Sequence, residues 1–106
     1  MSKLLALIDE YKDTHGAPSD ASIARAIGVA PQTISSWRKR GIRDTPAINT
    51  LKRMAEFFGV PYEEYLLQAA LVDAGFRDTM PTLEEARARE AVRVRQRAIE
   101  ERGTGS

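Results

Sequence analysis

Residues 22–41 read SIARAIGVAPQTISSWRKRG, and this stretch decides the fold. Its apolar side chains recur at helical spacing on two short segments, which a turn at Gly28 and Val29 separates. Helices joined by three or four residues cross steeply. Pro31 fits the first position of the second helix, because that position needs no amide hydrogen. The sequence therefore predicts two helices closing over one corner, with these side chains inside: Ile23, Ala24, Ile27, Ile34 and Trp37.

Composition narrows the classes of function. The chain has 106 residues, enough for one modest core, and it contains no cysteine and one histidine, His15. A disulfide framework and a thiol nucleophile are thereby excluded, and a zinc site would need carboxylates almost alone. No apolar run is long enough for a membrane span, and the start turns acidic too early for a signal peptide. We expect a cytoplasmic protein, with no catalytic constellation, metal or cofactor.

Basic residues concentrate at the end of the quoted stretch and just after it. The formal net charge is only +1, yet residues 37–54 carry six basic side chains and one acidic side chain, a local excess of five. Such a patch raises the local potential and can grip phosphates. The basic residues are Arg38, Lys39, Arg40, Arg43, Lys52 and Arg53.

Further helices are predicted on both sides. Apolar spacing predicts a helix over residues 3–14, and Ser19 or Asp20 can cap the next one, which ends near Ile27. The third helix is expected from Pro31 to about Arg40, ended by Gly41. A fourth follows the cap-then-proline pair Thr45-Pro46 and ends at Gly59, and a fifth runs from Pro61 up to Gly75. The later part of the fifth helix is apolar on more than one side, which favours either burial between neighbours or contact with a second subunit.

The C-terminal quarter has a different composition. Residues 76–82 are predicted to be a linker, and Thr82 with Glu85 forms a capping box for a helix over residues 83–102. That helix is rich in Ala, Glu and Arg and has only a thin apolar stripe, so few methyl groups offset the entropy of ordering it. Residues 103–106 are expected to be a disordered tail. Residues 1–75 are predicted to form a helix-turn-helix domain, and the two-helix corner with its basic patch is typical of DNA-binding domains.

Residues 19–67 resemble the Cro/C1-type helix-turn-helix family, the xenobiotic-response-element-like regulators, and the chain is similar to temperate-phage immunity repressors. The matching positions run through both halves of the segment: Ile23-Ala24, Ile27-Gly28-Val29, Thr33-Ile34-Ser35, Trp37, Gly41, Leu51, Met54-Ala55 and Phe58-Gly59-Val60-Pro61. The resemblance implies an all-α fold, a five-helix domain followed by a C-terminal helical extension, that binds double-stranded operator DNA. Asp20 departs from the family, because such regulators often have a phosphate-binding glutamine there.

The third helix supplies the expected DNA contacts. At 100° per residue, Ile34, Trp37 and partly Arg38 face the core, and the opposite face is polar. Recognition helices present their N-terminal residues to base edges, so Gln32, Thr33 and Ser36 are predicted to read bases. Later positions pass the phosphate backbone. The predicted backbone contacts are Ser35, Lys39, Arg40 and Arg43.

Three interpretations of function remain open. The first is a sequence-specific repressor that occupies an operator, as a homodimer through the fifth or the C-terminal helix. The second is an antitoxin-like autoregulator whose C-terminal helix binds a partner protein, because arginine-rich segments with few methyl groups order on binding. In the third, the C-terminal helix lies along DNA, although its glutamates offset its arginines. No small-molecule ligand and no membrane contact are predicted.

Overall fold

A computed structural model describes residues 2–104, with side chains described for residues 2–101. Within that range the chain contains helices and no strand. The helices are α1 (Lys3–Thr14), α2 (Asp20–Ile27), α3 (Thr33–Arg40), α4 (Ile48–Phe58), α5 (Leu67–Asp73) and α6 (Leu83–Thr104), and a π-helical turn, Tyr62–Leu66, leads into α5. The prediction of an all-α fold, with five helices and a C-terminal helical extension, is confirmed.

One cluster of apolar side chains joins the first five helices. Burying a large aliphatic side chain of this kind contributes roughly 1.5–3 kcal/mol relative to leaving it exposed. Helix α5 lies against α1, and its Ala69 and Ala70 are buried inside the domain. The buried members of the cluster are Leu4, Ile8, Ile23, Ala24, Ile27, Ile34, Leu51, Met54, Ala55, Leu66, Ala69 and Ala70.

A carboxylate closes the domain by tying the end of α5 to the start of α1. Asp73 accepts hydrogen bonds from the backbone amides of Lys3 at 2.6 Å and Leu4 at 3.1 Å, and from the Ser2 hydroxyl at 2.7 Å. Those amides have no partner inside α1, and a negative charge there also suits the helix dipole. The last residue of α5 thus caps α1, a contact that the sequence analysis missed.

The third helix starts later than predicted. Pro31 does not occupy its first position: α3 begins at Thr33, and five residues separate it from α2. The Thr33 amide donates to the Ala30 carbonyl at 2.9 Å, and Gln32 has φ −83° and ψ −8°. These values describe a type I turn with proline at its second position, where a fixed φ is equally favourable. Pro31 therefore shapes the turn that delivers the chain into α3.

The fourth helix shows the same displacement. The predicted pair Thr45-Pro46 does not cap it, because α4 begins at Ile48 and Ala47 stands at the N-cap without a side-chain cap. Gly59 ends α4 as predicted, in a left-handed conformation with φ 68°. Leu66 then donates to the carbonyl of Pro61, five residues back, at 3.0 Å, which gives the π-helical turn.

The last helix is long and only partly packed. Its capping box is present, since the Glu85 amide donates to the Thr82 hydroxyl at 3.1 Å and the Thr82 amide donates to the Glu85 carboxylate at 3.4 Å. Ala86 is fully buried, whereas residues 94–101 are exposed, so the distal half extends the molecule to a length of 53 Å. The helix continues to Thr104, two residues beyond the predicted end. Of the predicted tail, Gly105 and Ser106 lie outside the described residues.

Candidate nucleic-acid interface

Helix α3 has one buried face and one exposed face. Ile34 is fully buried and Trp37 packs partly buried against the core, as the helical wheel predicts. The outer face is polar and open. Thr33 is half-buried at the first turn, and the other predicted contact residues on α3 and in its entry turn are exposed: Gln32, Ser35, Ser36, Lys39 and Arg40.

The entry turn leaves the N-terminal end of α3 accessible. Gln32 is the N-cap residue, its side chain makes no capping hydrogen bond, and its carbonyl accepts from the Ser36 amide at 2.9 Å. Ser36 stands one helical turn after Gln32, so both side chains leave the helix on the same side. The structure thus places two of the predicted base-reading residues together on exposed surface and sets the third, Thr33, at its edge.

A sequence model of the helix-turn-helix family matches residues 19–65, which run from the N-cap of α2 into the π-helical turn. Residues 19–65 are a helix-turn-helix domain. The match confirms the recognised resemblance of this segment to the Cro/C1 type, and it supports a DNA-binding transcription regulator. No curated protein and no solved structure matches the chain.

The basic residues that follow Trp37 in the helix-turn-helix domain divide into two groups. Lys39, Arg40 and Arg43 are exposed, and no ion pair among residues 2–101 uses them. Gly41, with φ 79°, lies between them and ends α3, so that Arg43 stands on the irregular segment that follows. Three cations are therefore available at the C-terminal end of the recognition helix.

Arg38 belongs to the other group, because its guanidinium is bonded to carboxylates of the protein itself. Its Nη2 lies 2.7 Å from Asp9 Oδ1 on α1, and its Nε lies 2.9 Å from Asp20 Oδ2 on α2. Asp20 also accepts from Lys12 Nζ at 3.0 Å. Sequence reasoning missed this network. The helical wheel placed Arg38 partly towards the core, but the local sequence does not show which acidic residues lie opposite it.

The network changes the acidity of its members. Hydrogen bonds from Arg38 and then Lys12 lower the pKa of Asp20, against the opposing effect of partial burial. Hydrogen bonds to Asp20 and then Asp9 raise the pKa of Arg38. Asp20 and Arg38 therefore stay charged around neutral pH, and the positive charge of Arg38 is matched locally by two carboxylates.

Two further basic residues, on α4, lie against protein groups. The Lys52 ammonium stands 5.7 Å from the centre of the Tyr62 ring. Arg53 covers the turn between α2 and α3: a Cβ added to Gly28 would lie 2.5 Å from Arg53 Nη1. Gly28 is in the left-handed region, with φ 81°. Glycine suits this position because it adopts that conformation easily and because it has no side chain to collide with Arg53. This glycine lets α4 brace the helix-turn-helix corner.

Helix α6 is fastened away from the outer face of α3. Arg87 Nη2 donates to the Gly59 carbonyl at 3.3 Å, and Arg93 pairs with Glu64 and, at 3.4 Å, with Glu63 on the π-helical turn. The exposure of Gln32, Ser36 and Lys39 shows that the described part of α6 leaves the recognition surface open.

No group of three or more histidine, cysteine or acidic side chains within the described part of the chain is arranged to hold a metal ion. In the same part of the chain, no helix has the length and hydropathy needed to cross a membrane.

Proposed function

We propose that this helix-turn-helix protein is a sequence-specific transcriptional repressor of the phage-immunity type, which acts by occupying its operator. The observation that carries the proposal is the open polar face of α3, which is framed by exposed cations at its C-terminal end. Repression by occupancy needs affinity and placement and no chemical step. Its expected setting is the cytoplasm of a bacterial or phage-infected cell.

The base-reading residues proposed are Gln32, Thr33 and Ser36. All three stand at the N-terminal end of α3, the end that a recognition helix turns towards base edges. A glutamine amide can bond adenine with two hydrogen bonds, and a threonine methyl can contact the thymine methyl. Each good contact would contribute about 1–3 kcal/mol of discrimination between bases.

The backbone contacts proposed are Ser35, Lys39, Arg40 and Arg43. The three cations have no acidic partner among residues 2–101, so a phosphate would not have to compete for them. Phosphate contacts set affinity and orientation, and they carry no sequence information by themselves. Each cation that neutralises one phosphate adds about one unit to the salt dependence of binding.

We further propose that the repressor binds a palindromic operator as a homodimer through α6. The fifth helix is a weaker candidate, since Ala69 and Ala70 face the core. On α6, Val92 and Ile99 are 53% and 61% exposed, and at 100° per residue they lie about 120° and about 140° around the helix from the buried Ala86. Two-fold symmetry would set the recognition helices about 34 Å apart, one turn of DNA.

An antitoxin-like autoregulator is the second candidate, and the same exposed stripe on α6 favours it. In that case a different protein would cover Val92 and Ile99. Purification of the native protein with a stoichiometric partner supports this candidate, whereas a self-associating chain that protects two half-sites in a footprint supports the repressor.

Selection of bound DNA from random duplexes tests the main proposal. Gln32→Ala should relax preference at one or two base positions, because it removes one bidentate contact. Arg40→Ala should weaken binding to every duplex alike and leave the preference unchanged. Lys3→Ala, which removes an exposed cation on α1, is the matched control and should bind as the wild type does. A protein that ignores all duplexes at low salt would refute the proposal.

A further inference from the structure

Arg38 lies on the recognition helix, directly before two cations that are open to DNA, yet its side chain is turned to α1 and α2. Its guanidinium makes three hydrogen bonds to two carboxylates, at 2.7 Å to Asp9 and at 2.9 and 3.1 Å to Asp20. The side chain is 32% exposed, so solvent still reaches it. The hydrogen-bonding groups of Arg38 are therefore used by carboxylates of the protein itself.

This contact ties α3 to two other helices. Asp9 belongs to α1, Asp20 is the first residue of α2, and Arg38 lies in the last turn of α3. The planar guanidinium has donors in a rigid fork, so bonding two carboxylates at once restricts both the distance and the angle between the helices. Three helices thus meet at one side chain.

The same contact makes the positive charge of Arg38 less available to the phosphates of DNA. A phosphate would have to compete with two carboxylates already bonded to this cation, one of which also holds Lys12. Lys39, the next residue along the chain, has no such partner within residues 2–101 and lies on the exposed face. Two neighbouring cations on one helix therefore have different environments.

We propose that Arg38 is a positioning residue for DNA reading, and that Asp9 and Asp20 withhold its charge from the phosphate backbone. The inference rests on the proposed reading of bases by α3. It predicts that Arg38 governs the preference for one sequence over another, because it sets the helix angle, and that Lys39 governs the salt-dependent affinity.

The test compares Arg38→Met with Lys39→Met, since methionine keeps much of the length of both side chains without the charge. Affinity is measured over a salt series on the selected operator and on an unrelated duplex of equal length. Lys39→Met should lower the salt slope by about one unit on both duplexes and keep their affinity ratio. Arg38→Met should leave the slope unchanged and lower the ratio about tenfold, the value of one lost base contact. Arg38→Lys should restore little of that ratio, because an ammonium lacks the fork.

Asp9→Asn with Asp20→Asn removes the carboxylate partners of Arg38, and that of Lys12, while it keeps both cations, and it keeps the inference testable if Arg38→Met does not fold. This double variant should raise the slope by up to about one unit on both duplexes and lower the operator preference. Asp13→Asn is the control for a lost acidic charge on α1, where the side chain is exposed. It should leave the operator preference unchanged.

Three results overturn the inference: a slope that falls by about one unit in Arg38→Met with the ratio preserved, wild-type binding by that variant, or an unchanged slope and ratio in the double aspartate variant. A wild-type protein that binds no selected duplex refutes the proposed function instead. The two failures are therefore distinguishable.

Discussion

Arg38 and Arg93 are a natural pair for comparison, because each fastens one helix to the domain and each side chain is 32% exposed. Arg38 joins α3 to two aspartates, and Asp20 has a second donor in Lys12. Arg93 joins α6 to Glu63 and Glu64, and the second oxygen of Glu64, Oε2, is buried without a hydrogen-bond partner. An unpaired buried polar atom costs free energy that a paired one does not. Two arginines with the same exposure therefore need not attach their helices equally strongly, because the strength also depends on how well the partner carboxylate is hydrogen-bonded.

The apolar contacts also indicate that α3 is attached more firmly than α6. Helix α3 contributes Ile34 to the main core, whereas Ala86 is the one fully buried side chain that α6 contributes among the described residues. We infer that α3 is fixed as part of the domain. Helix α6 is docked by one fully buried small side chain, by the Arg87 bond to the Gly59 carbonyl and by the ion pairs of Arg93.

The largest expected effect comes from enlarging Ala86. Ala86→Leu adds three carbon atoms at a site with no exposure, and overpacking of this kind costs about 1–3 kcal/mol. Because α6 has few other apolar contacts, we expect it to detach while α1 to α5 stay folded. Hydrogen exchange should show faster amides in α6 and unchanged amides in α1 and α4. Ala88→Leu, at an exposed position of the same helix, is the control and should change neither. Loss of protection throughout the chain would show that α6 is an integral part of the core.

The next effect concerns the Arg38 network and its pH dependence. Arg38→Met should lower the free energy of unfolding at pH 7 by about 1 kcal/mol, a value for a partly exposed network. The pKa of Asp20 is lowered in the folded state, so its contribution is complete well above its ordinary value of 3.8 and is lost as the pH falls through the lower folded value. The difference between the wild type and Arg38→Met should therefore shrink below about pH 4. Denaturant titrations over that range measure it, and a difference that stays constant would contradict the assignment to Asp20.

The sequence predicts the helices and their faces better than their ends and their attachments. The spacing of Ile23, Ile27 and Ile34 depends on local periodicity, so it identified the helix-turn-helix corner. Pro31 has one fixed φ that suits both a helix start and the second position of a turn, and the sequence cannot separate the two.

Attachments depend on long-range geometry. Two attachments show this: Asp73 bonds the start of α1, and Asp9 and Asp20 bond Arg38. The residues that they join are 18 to 71 positions apart. Periodicity carries no information about such pairs. The exposure of the predicted DNA-contact residues was easier to predict, because the apolar positions of a helix also fix which positions lie on its outer face. Whether those side chains bind bases or phosphates stays a prediction.

The smallest expected effect separates two arginines of α6. Arg93→Met leaves Glu64, whose side chain is only 9% exposed, with neither oxygen paired, so the π-helical turn would have to expose this carboxylate and loosen its contact with α6. Arg89→Met is the matched control. Arg89 meets the exposed Glu85 at 3.9 Å, a surface pair of the kind that contributes little. Hydrogen exchange in residues 83–94 should be faster in Arg93→Met than in Arg89→Met, with no change in α3. Equal rates in the two variants would mean that Glu64 finds another donor. In that case the unpaired oxygen would not make the attachment of α6 weaker than that of α3.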